Sequence, residues 1–260
     1  MHQAYKILKY IIENNPWYAL PWRVSKAIFY QMNKRIRKKA MLHPLFNGKK
    51  IWLFPKNPVC SSFVYTAYPD KIEIDWLRKL ATDETIFLDI GANIGAYSIL
   101  LSDKVKDMYA FEAHPQTAQL CKMNYSLNGI SEHNVIVAAV SSDCEKQYFT
   151  NLSEGSPMNA LAKEGRHSIE VPGMTLDAFA VQKAFSLTQP FIIKMDVEGF
   201  EDQVLLGAQN FLKNYAVKAI VFEIFSSKKE EIKQFLQELG FVLIQTSEHN
   251  MLAIREEHAV

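Results

Sequence analysis

From residue 86 to residue 255 the hydrophobic pattern switches repeatedly between two periods. Short apolar runs at 86–88, 107–111, 134–140, 191–197 and 219–225 have the unbroken character of strands covered on both faces. Between them, apolar residues recur at helical spacing in 113–130, 174–185, 201–213 and 228–239, with stops at Asn128-Gly129 and Gly240. Strands alternating with helices predict a parallel sheet with right-handed crossovers. The closing runs, 241–246 and 251–255, are joined by a short polar turn and should pair antiparallel. Between Ser141 and Pro172 the pattern loosens. It holds a strand near 146–150, another at 168–171 and, at 153–167, a loop long enough to serve as a lid.

Upstream the pattern changes. Residues 5–12 have helical spacing and stop before Pro16. The next stretch opens on Trp17, Tyr18 and Trp22 and then turns basic, with Val24, Ala27, Ile28, Met32 and Ile36 near one helical stripe. Residues 50–68, interrupted by Pro55 and Pro58, read as short strands in an edge hairpin, and 75–80 as a helix leading into the sheet. The expected division is a basic amphipathic helical extension, 1–49, followed by one α/β domain, 50–260.

Composition adds three constraints. At 260 residues and 48% hydrophobic there is material for one sizeable core. The formal net charge of +1 argues against nucleic-acid binding. That balance is uneven, because ten basic residues lie between Arg23 and Lys56 and no acidic one between Asn14 and Pro69. Two readings stay open for residues 17–50: a solvated helix packing its apolar side on the domain, or peripheral contact with an anionic membrane. Cys60, Cys121 and Cys144 are odd in number and unclustered, so neither a disulfide framework nor zinc is expected, and a reducing cytoplasm fits. No apolar run approaches the ~20 residues that span a bilayer. The start of the chain lacks a long apolar core and a small-residue cleavage site, so no secretory signal is expected.

The candidate chemistry centres on IFLDIGANIGAYS, residues 86–98. A buried strand, a glycine turn and a helix start form a nucleotide-type cofactor site. Asp89 should face the crevice, while Gly91 and Gly95 should let backbone approach a ligand where a Cβ would collide. Glu112 closes the second strand, 23 positions after Asp89, where an acid accepts hydrogen bonds from ribose hydroxyls. GANIG has two glycines where a dinucleotide fingerprint wants a third, which points to a cofactor without a pyrophosphate. S-adenosyl-L-methionine meets that condition, with Asp89 for its amino group and the amides around Asn93 for its carboxylate. A second cluster, Lys194, Asp196 and Glu198, alternates onto one side at the end of a strand. Lys194 should pair with a neighbouring carboxylate, Asp196 is the best candidate for a general base, and Glu198 is either a second acid or a helix cap. No metal site is expected. His114, at a helix start, reads as a cap ahead of a base.

The segments LDIGANIGAYS, YAFEAHP, TLD at 175–177, IIKMDVEGFEDQVLLGA and VFEI resemble the FkbM family of S-adenosylmethionine-dependent methyltransferases over roughly 86–225. The resemblance implies a class I methyltransferase fold, a Rossmann-like, mostly parallel seven-stranded sheet with its last strand antiparallel. It also implies methyl transfer to a hydroxyl oxygen, commonly of a sugar or polyketide-type acceptor. Carried onto matching positions, it places Asp89, Gly91, Asn93 and Gly95 in the cofactor loop, Glu112 on the ribose, and Lys194, Asp196, Glu198 and Glu201 in the signature after the fourth strand. Ala139 and Val140 are the topological expectation for the adenine. The competing classes are a nicotinamide-dependent oxidoreductase and a non-catalytic, membrane-associated protein of the same fold.

Overall fold

The computed structural model describes residues 2–150, 161–162, 168–224 and 228–258. The expected lid at 153–167 lies outside the described residues, apart from Leu161 and Ala162.

Helices α1 (His2–Glu13) and α2 (Leu20–Met32) open the chain, and α2 runs on into a π-helical turn at Asn33–Arg37. A hairpin follows, β1 (Met41–Pro44) against β2 (Lys50–Leu53), then helices α3 (Ser62–Tyr65) and α4 (Lys71–Leu80). The next elements are β3 (Ile86–Ile90), α5 (Ala96–Leu101), β4 (Asp107–Phe111), α6 (Pro115–Leu127) and β5 (Val135–Ile136). Strands β6 (Ala139–Val140), β7 (Lys146–Thr150), β8 (Leu161–Ala162) and β9 (Ser168–Met174) form a smaller sheet. Then come α7 (Leu176–Gln182), β10 (Pro190–Met195), α8 (Glu201–Leu206), α9 (Gln209–Asn214) and β11 (Ala216–Glu223). Helix α10 (Lys229–Glu238) and the hairpin β12 (Phe241–Gln245) and β13 (Asn250–Arg255) close the described chain.

The main sheet has seven strands in the order β12-β13-β11-β10-β3-β4-β5. Strands β5, β4, β3, β10 and β11 run parallel, and β13 enters antiparallel between β11 and β12. This is the class I methyltransferase topology. Growth of the sheet reverses between β3 and β10, and ligands of open α/β sheets bind outside the strand ends at such a reversal.

Period-two alternation divides the sheet between two cores. Phe87, Ile192, Ala219, Val221 and Leu252 face the core shared with α4 and α5, while Leu88, Ile193, Ile220 and Ala253 face the one under α7 to α10. The parity has a consequence for the site. Asp89, Lys194, Glu223 and Asn250 share the parity of the first set, so four neighbouring strands present a polar row on the α5 side.

Ile11, Ala27, Tyr30 and Ile51 of the N-terminal part belong to the same core as Phe87 and Ile192. The hairpin β1–β2 straddles residue 49, where the sequence suggests a boundary. Its β2 strand is held by α6, whose Asn124 Oδ1 and Asn128 Oδ1 accept from the amides of Trp52 (2.7 Å) and Lys50 (2.9 Å).

Three expected elements differ. The hairpin begins at Met41, and Phe63 to Tyr65 are helical rather than extended. The helical path begins upstream, where Asn57 Oδ1 accepts from the Val59 amide at 3.0 Å and Pro58 pre-sets the first φ of a 3-10 turn, Pro58–Ser61, that runs on into α3. The run 134–140 splits, with β5 in the main sheet and β6 paired to β9. The helix expected at 201–213 is interrupted at Gly207-Ala208. Asp177 of the TLD segment starts the second half, since its carboxylate accepts from the amides of Asn210 (3.2 Å) and Phe211 (2.7 Å).

Candidate active site

The tips of β4, β3 and β10 are adjacent, so the glycine turn, Glu112 and the acid cluster meet at one end of the sheet. Lys194 is the hub. Its Nζ donates to the Gly91 carbonyl at 2.8 Å and lies 3.3 Å from Asp196 Oδ2, 3.8 Å from Asp89 Oδ1 and 5.5 Å from the centre of the Tyr97 ring. Burial works against the ammonium, but Asp196 and Asp89 outweigh it and its pKa is raised. A lysine so held is a fixed cation, not a proton acceptor. Its expected pairing is present, and its place among candidate catalytic groups becomes that of a positioning residue.

Asp89 differs from expectation. It is fully buried, facing the core rather than an open crevice. Its Oδ2 accepts from the Ser98 hydroxyl (2.6 Å) and amide (3.2 Å), while Oδ1 has no hydrogen-bond partner among the described residues. Burial raises its pKa against the opposing pull of Lys194 and Ser98.

The two turn glycines also serve another purpose. A Cβ on Gly91 (φ +74°) would lie 1.8 Å from the Asp196 carbonyl oxygen, and one on Gly95 (φ +78°) 2.8 Å from Cys121 Sγ. Both clear space for protein, not for a ligand. Gly91 brings the cofactor loop against the acid loop, and Gly95 seats α5 on α6. Asn93, also left-handed at φ 51°, gives its amide to Glu112 Oε2 at 2.9 Å and accepts from Asn57 Nδ2 at 2.6 Å. Glu112 takes a further bond from the His114 amide at 2.9 Å, and burial pushes its pKa up to about 7. His114 caps α6, its Nδ1 accepting from the Thr117 amide at 3.4 Å.

Ala139 and Val140, expected beside the adenine, lie outside the main sheet. They are buried in the smaller sheet against Gly173 and Met174, whereas the Glu112 amide bonds the Ile136 carbonyl at 3.0 Å. The strand ends earlier than its apolar run.

Beyond β10, Asp196 stays beside Lys194, and Glu198 takes the left-handed conformation at φ 54°, followed by Gly199 at φ 95°. Burial, Asp196 and Glu201 push Glu198 up to about 7. Glu201 is the buried acid of the turn, accepting from the Gly199 amide at 3.2 Å. The sequence pattern misses the partner that matters most for Asp196. Glu223, at the tip of β11, lines the same cavity as Asp196, and burial together with the charge of that neighbour pushes it up to about 8. With Lys194, Asp70, Tyr97 and Asn250 the pair lines a small polar cavity of about 100 Å³. Tyr97 donates to Asp70 Oδ2 at 3.1 Å, and Asp70 keeps solvent contact through the cavity although protein surrounds its carboxyl and burial raises it. Glu223 carries the signal that identifies Glu112, an acid ending an apolar strand. Asp70, Tyr97 and Asn250 arrive by tertiary packing and carry none. Among the described residues no group of three or more His, Cys, Asp or Glu side chains has the arrangement of a metal site.

The raised carboxyls fix the sign of the pH response. Glu112, Glu198 and Glu223 hold protons in the folded chain that the unfolded chain releases near 4.5. Stability from these groups is therefore present below 4.5 and lost as pH rises toward about 8. Melting temperature measured across pH should peak near about pH 5 and fall toward pH 8. Glu223→Gln should flatten the upper part of that fall.

The donor set also selects the cofactor. Among the residues lining the cavity the one cation is Lys194, committed to Asp196 and the Gly91 carbonyl, which leaves none to meet a pyrophosphate. Glu112 retains lone pairs for a diol after accepting from two amides.

A hexuronic acid methyltransferase, AglP, from Haloferax volcanii is 26% identical over 162 residues, 58% of this chain and 62% of that protein. The chain thus spans less than two thirds of the length of that relative. Among solved structures, an rRNA methylase from Streptococcus thermophilus (TM-score 0.44, 16% identity) covers 71% of this chain and 93% of its own. TrmK from M. capricolum, solved with S-adenosyl-homocysteine (TM-score 0.39, 13% identity), covers 70% and 66%. The methyltransferase FkbM domain matches residues 89–243, more than half of the sequence and every signature segment from Asp89 to Glu223. With that match over a class I sheet, the chain belongs to the FkbM family of S-adenosylmethionine-dependent methyltransferases.

Proposed function

We propose that this chain methylates a hydroxyl oxygen, with a sugar-type acceptor entering over the tips of β10 and β11. The observation that carries the reading is the pair of carboxyls, Asp196 and Glu223, that line one cavity beside the buried Lys194, with Asp196 held 3.3 Å from its Nζ. When bound, S-adenosylmethionine supplies an electrophilic methyl group for in-line displacement. The chain's own residues do the rest. Glu112 holds the ribose, with Asn93 fixed beside it by Asn57. Lys194 anchors the Gly91 carbonyl and Asp196 together, and so sets the distance between cofactor loop and acid loop. A sugar hydroxyl is a weak nucleophile, and Asp196 takes its proton as the new bond forms. Glu223 faces the same cavity as Asp196. Glu198 shapes the turn behind this pair.

A hydroxyl-rich acceptor suits the lining, because Asp70, Tyr97 and Asn250 offer acceptors and donors around the pair. The name of the Haloferax volcanii relative supports a sugar. Within that class the lining favours a neutral sugar over a uronate, since Lys194 is committed to Asp196 and the Gly91 carbonyl. The test uses methyl-labelled S-adenosylmethionine with paired neutral and uronate glycans, following label transfer and release of S-adenosylhomocysteine. The expected result is transfer to a neutral hydroxyl that persists in EDTA. Calorimetric binding of a nicotinamide dinucleotide, with none of S-adenosylmethionine, would sink the proposal.

A further inference from the structure

Helix α2 turns the wrong side outward for a helix that merely packs on a domain. Ala27 and Tyr30 are buried, yet Trp22 (61%), Ile28 (58%), Phe29 (58%), Met32 (55%) and Ile36 (73%) are exposed. At 3.6 residues per turn Trp22, Ile28, Phe29 and Met32 fall within an arc of about 120°, and Ile36 follows in the π-helical turn. Lys26 and Arg35 flank it. Beside the arc an apolar groove of about 450 Å³ runs between α1 and α2, walled by Ile7, Leu8 and Ile11 on one side and Ala27, Ile28 and Met32 on the other. Trp17 and Tyr18 stand exposed at the start of the same segment.

The charges of this region are uncompensated. None of the ten basic residues from Arg23 to Lys56 takes part in an ion pair among the described residues. Lys34, Arg35, Arg37, Lys38 and Lys39 crowd the end of the apolar arc. A second copy of this chain would set one cationic surface against another, which like-charge repulsion disfavours. An apolar stripe edged by cations and aromatic rings matches one occupant, the boundary between headgroups and acyl chains of an anionic bilayer.

We propose that this face docks the protein peripherally on an anionic phospholipid membrane. The arc of α2 enters the headgroup boundary, and the Lys34–Lys39 stretch meets lipid phosphate. Among the described residues no helix is long and apolar enough to cross a membrane, so the contact is made from one side. Docking here would set the catalytic cavity near the lipid surface. Tyr10 of α1 packs edge-on to Tyr65 at 6.4 Å and lies within electrostatic reach of Asp70, which lines that cavity. The docking itself does not depend on the acceptor proposed above.

Sedimentation of the full chain with vesicles tests this. Vesicles of phosphatidylcholine alone are compared with vesicles that also contain phosphatidylglycerol. The expected result is binding to the anionic vesicles only, lost near about 1 M salt, where charges are screened within a few ångströms. Arg37→Gln and Lys38→Gln should each weaken it about fivefold. The double variant Ile28→Ser, Phe29→Ser should abolish it while melting temperature and S-adenosylmethionine binding stay unchanged. No vesicle binding, or equal binding to both vesicle types, would overturn the proposal. So would a dimer detected by light scattering that the double variant dissociates. If the double variant fails to fold, the charge variants and the salt series still decide.

Discussion

Asp196→Asn should leave S-adenosylmethionine affinity within about twofold and lower turnover by about 10²- to 10⁴-fold, the range for loss of a general base. The substitution keeps the shape of the side chain, so Lys194 retains the Gly91 carbonyl at 2.8 Å and Asp89 at 3.8 Å. Glu112 and Asn93 bond each other two strands away and are untouched. What is removed is the charge that accepts the proton. Calorimetry of cofactor binding together with single-turnover methyl transfer separates the two effects. A turnover loss below about tenfold would assign the proton to another group, with Glu223 the next to examine. Glu223→Gln supplies the contrast: it keeps the hydrogen-bonding outline but removes the group pushed up to about 8, so any alkaline limb of the rate profile in that region should disappear.

Gly91→Ala should be the most damaging single-methyl change in the cofactor loop. Two penalties combine. A left-handed residue with a Cβ costs roughly 1–2 kcal/mol. The new Cβ also meets the Asp196 carbonyl oxygen at 1.8 Å, and retreat is restrained one peptide earlier, where the amide of the same residue bonds the Ile90 carbonyl at 3.0 Å. The loops must part, which breaks the Lys194 contact to the Gly91 carbonyl. A total near about 4 kcal/mol follows, at the upper end for point substitutions, with a melting temperature lower by about 10 °C and cofactor binding severely weakened. Gly199→Ala is the control. It has φ +95° but nothing within 4 Å of its added Cβ, so only the backbone strain of about 1–2 kcal/mol applies. Equal effects from the two variants would mean that close approach of the loops is not what Gly91 provides.

The sheet and the meeting of its strand tips are legible in the sequence because each inner strand announces itself twice, by an apolar run and by an acid at its end. Asp89, Glu112 and Asp196 are found by that rule, and Glu223 obeys it too. What stays hidden depends on partners the pattern does not specify. Glycine spacing reads the same whether a ligand or another loop fills the space beside Gly91, and here the loop fills it. Asp89 looks like a crevice charge until Ser98 and Lys194 close over it. The hairpin strand at Met41–Pro44 has too short a run to show a period, and Phe63–Tyr65 look extended until the turn that Asn57 caps runs on into them. Asp70, Tyr97 and Asn250 come from three remote segments, and only the packing of α4 and α5 on the sheet makes them neighbours.

The contact between Gly91 and the Asp196 carbonyl also bears on engineering by recombination. Chimaeras that take the first signature loop from one relative and the second from another must rebuild a backbone-to-backbone fit at this seam. Exchanges that carry both loops from a single parent, and place their crossovers outside them, keep that fit and are the sounder route to a changed acceptor.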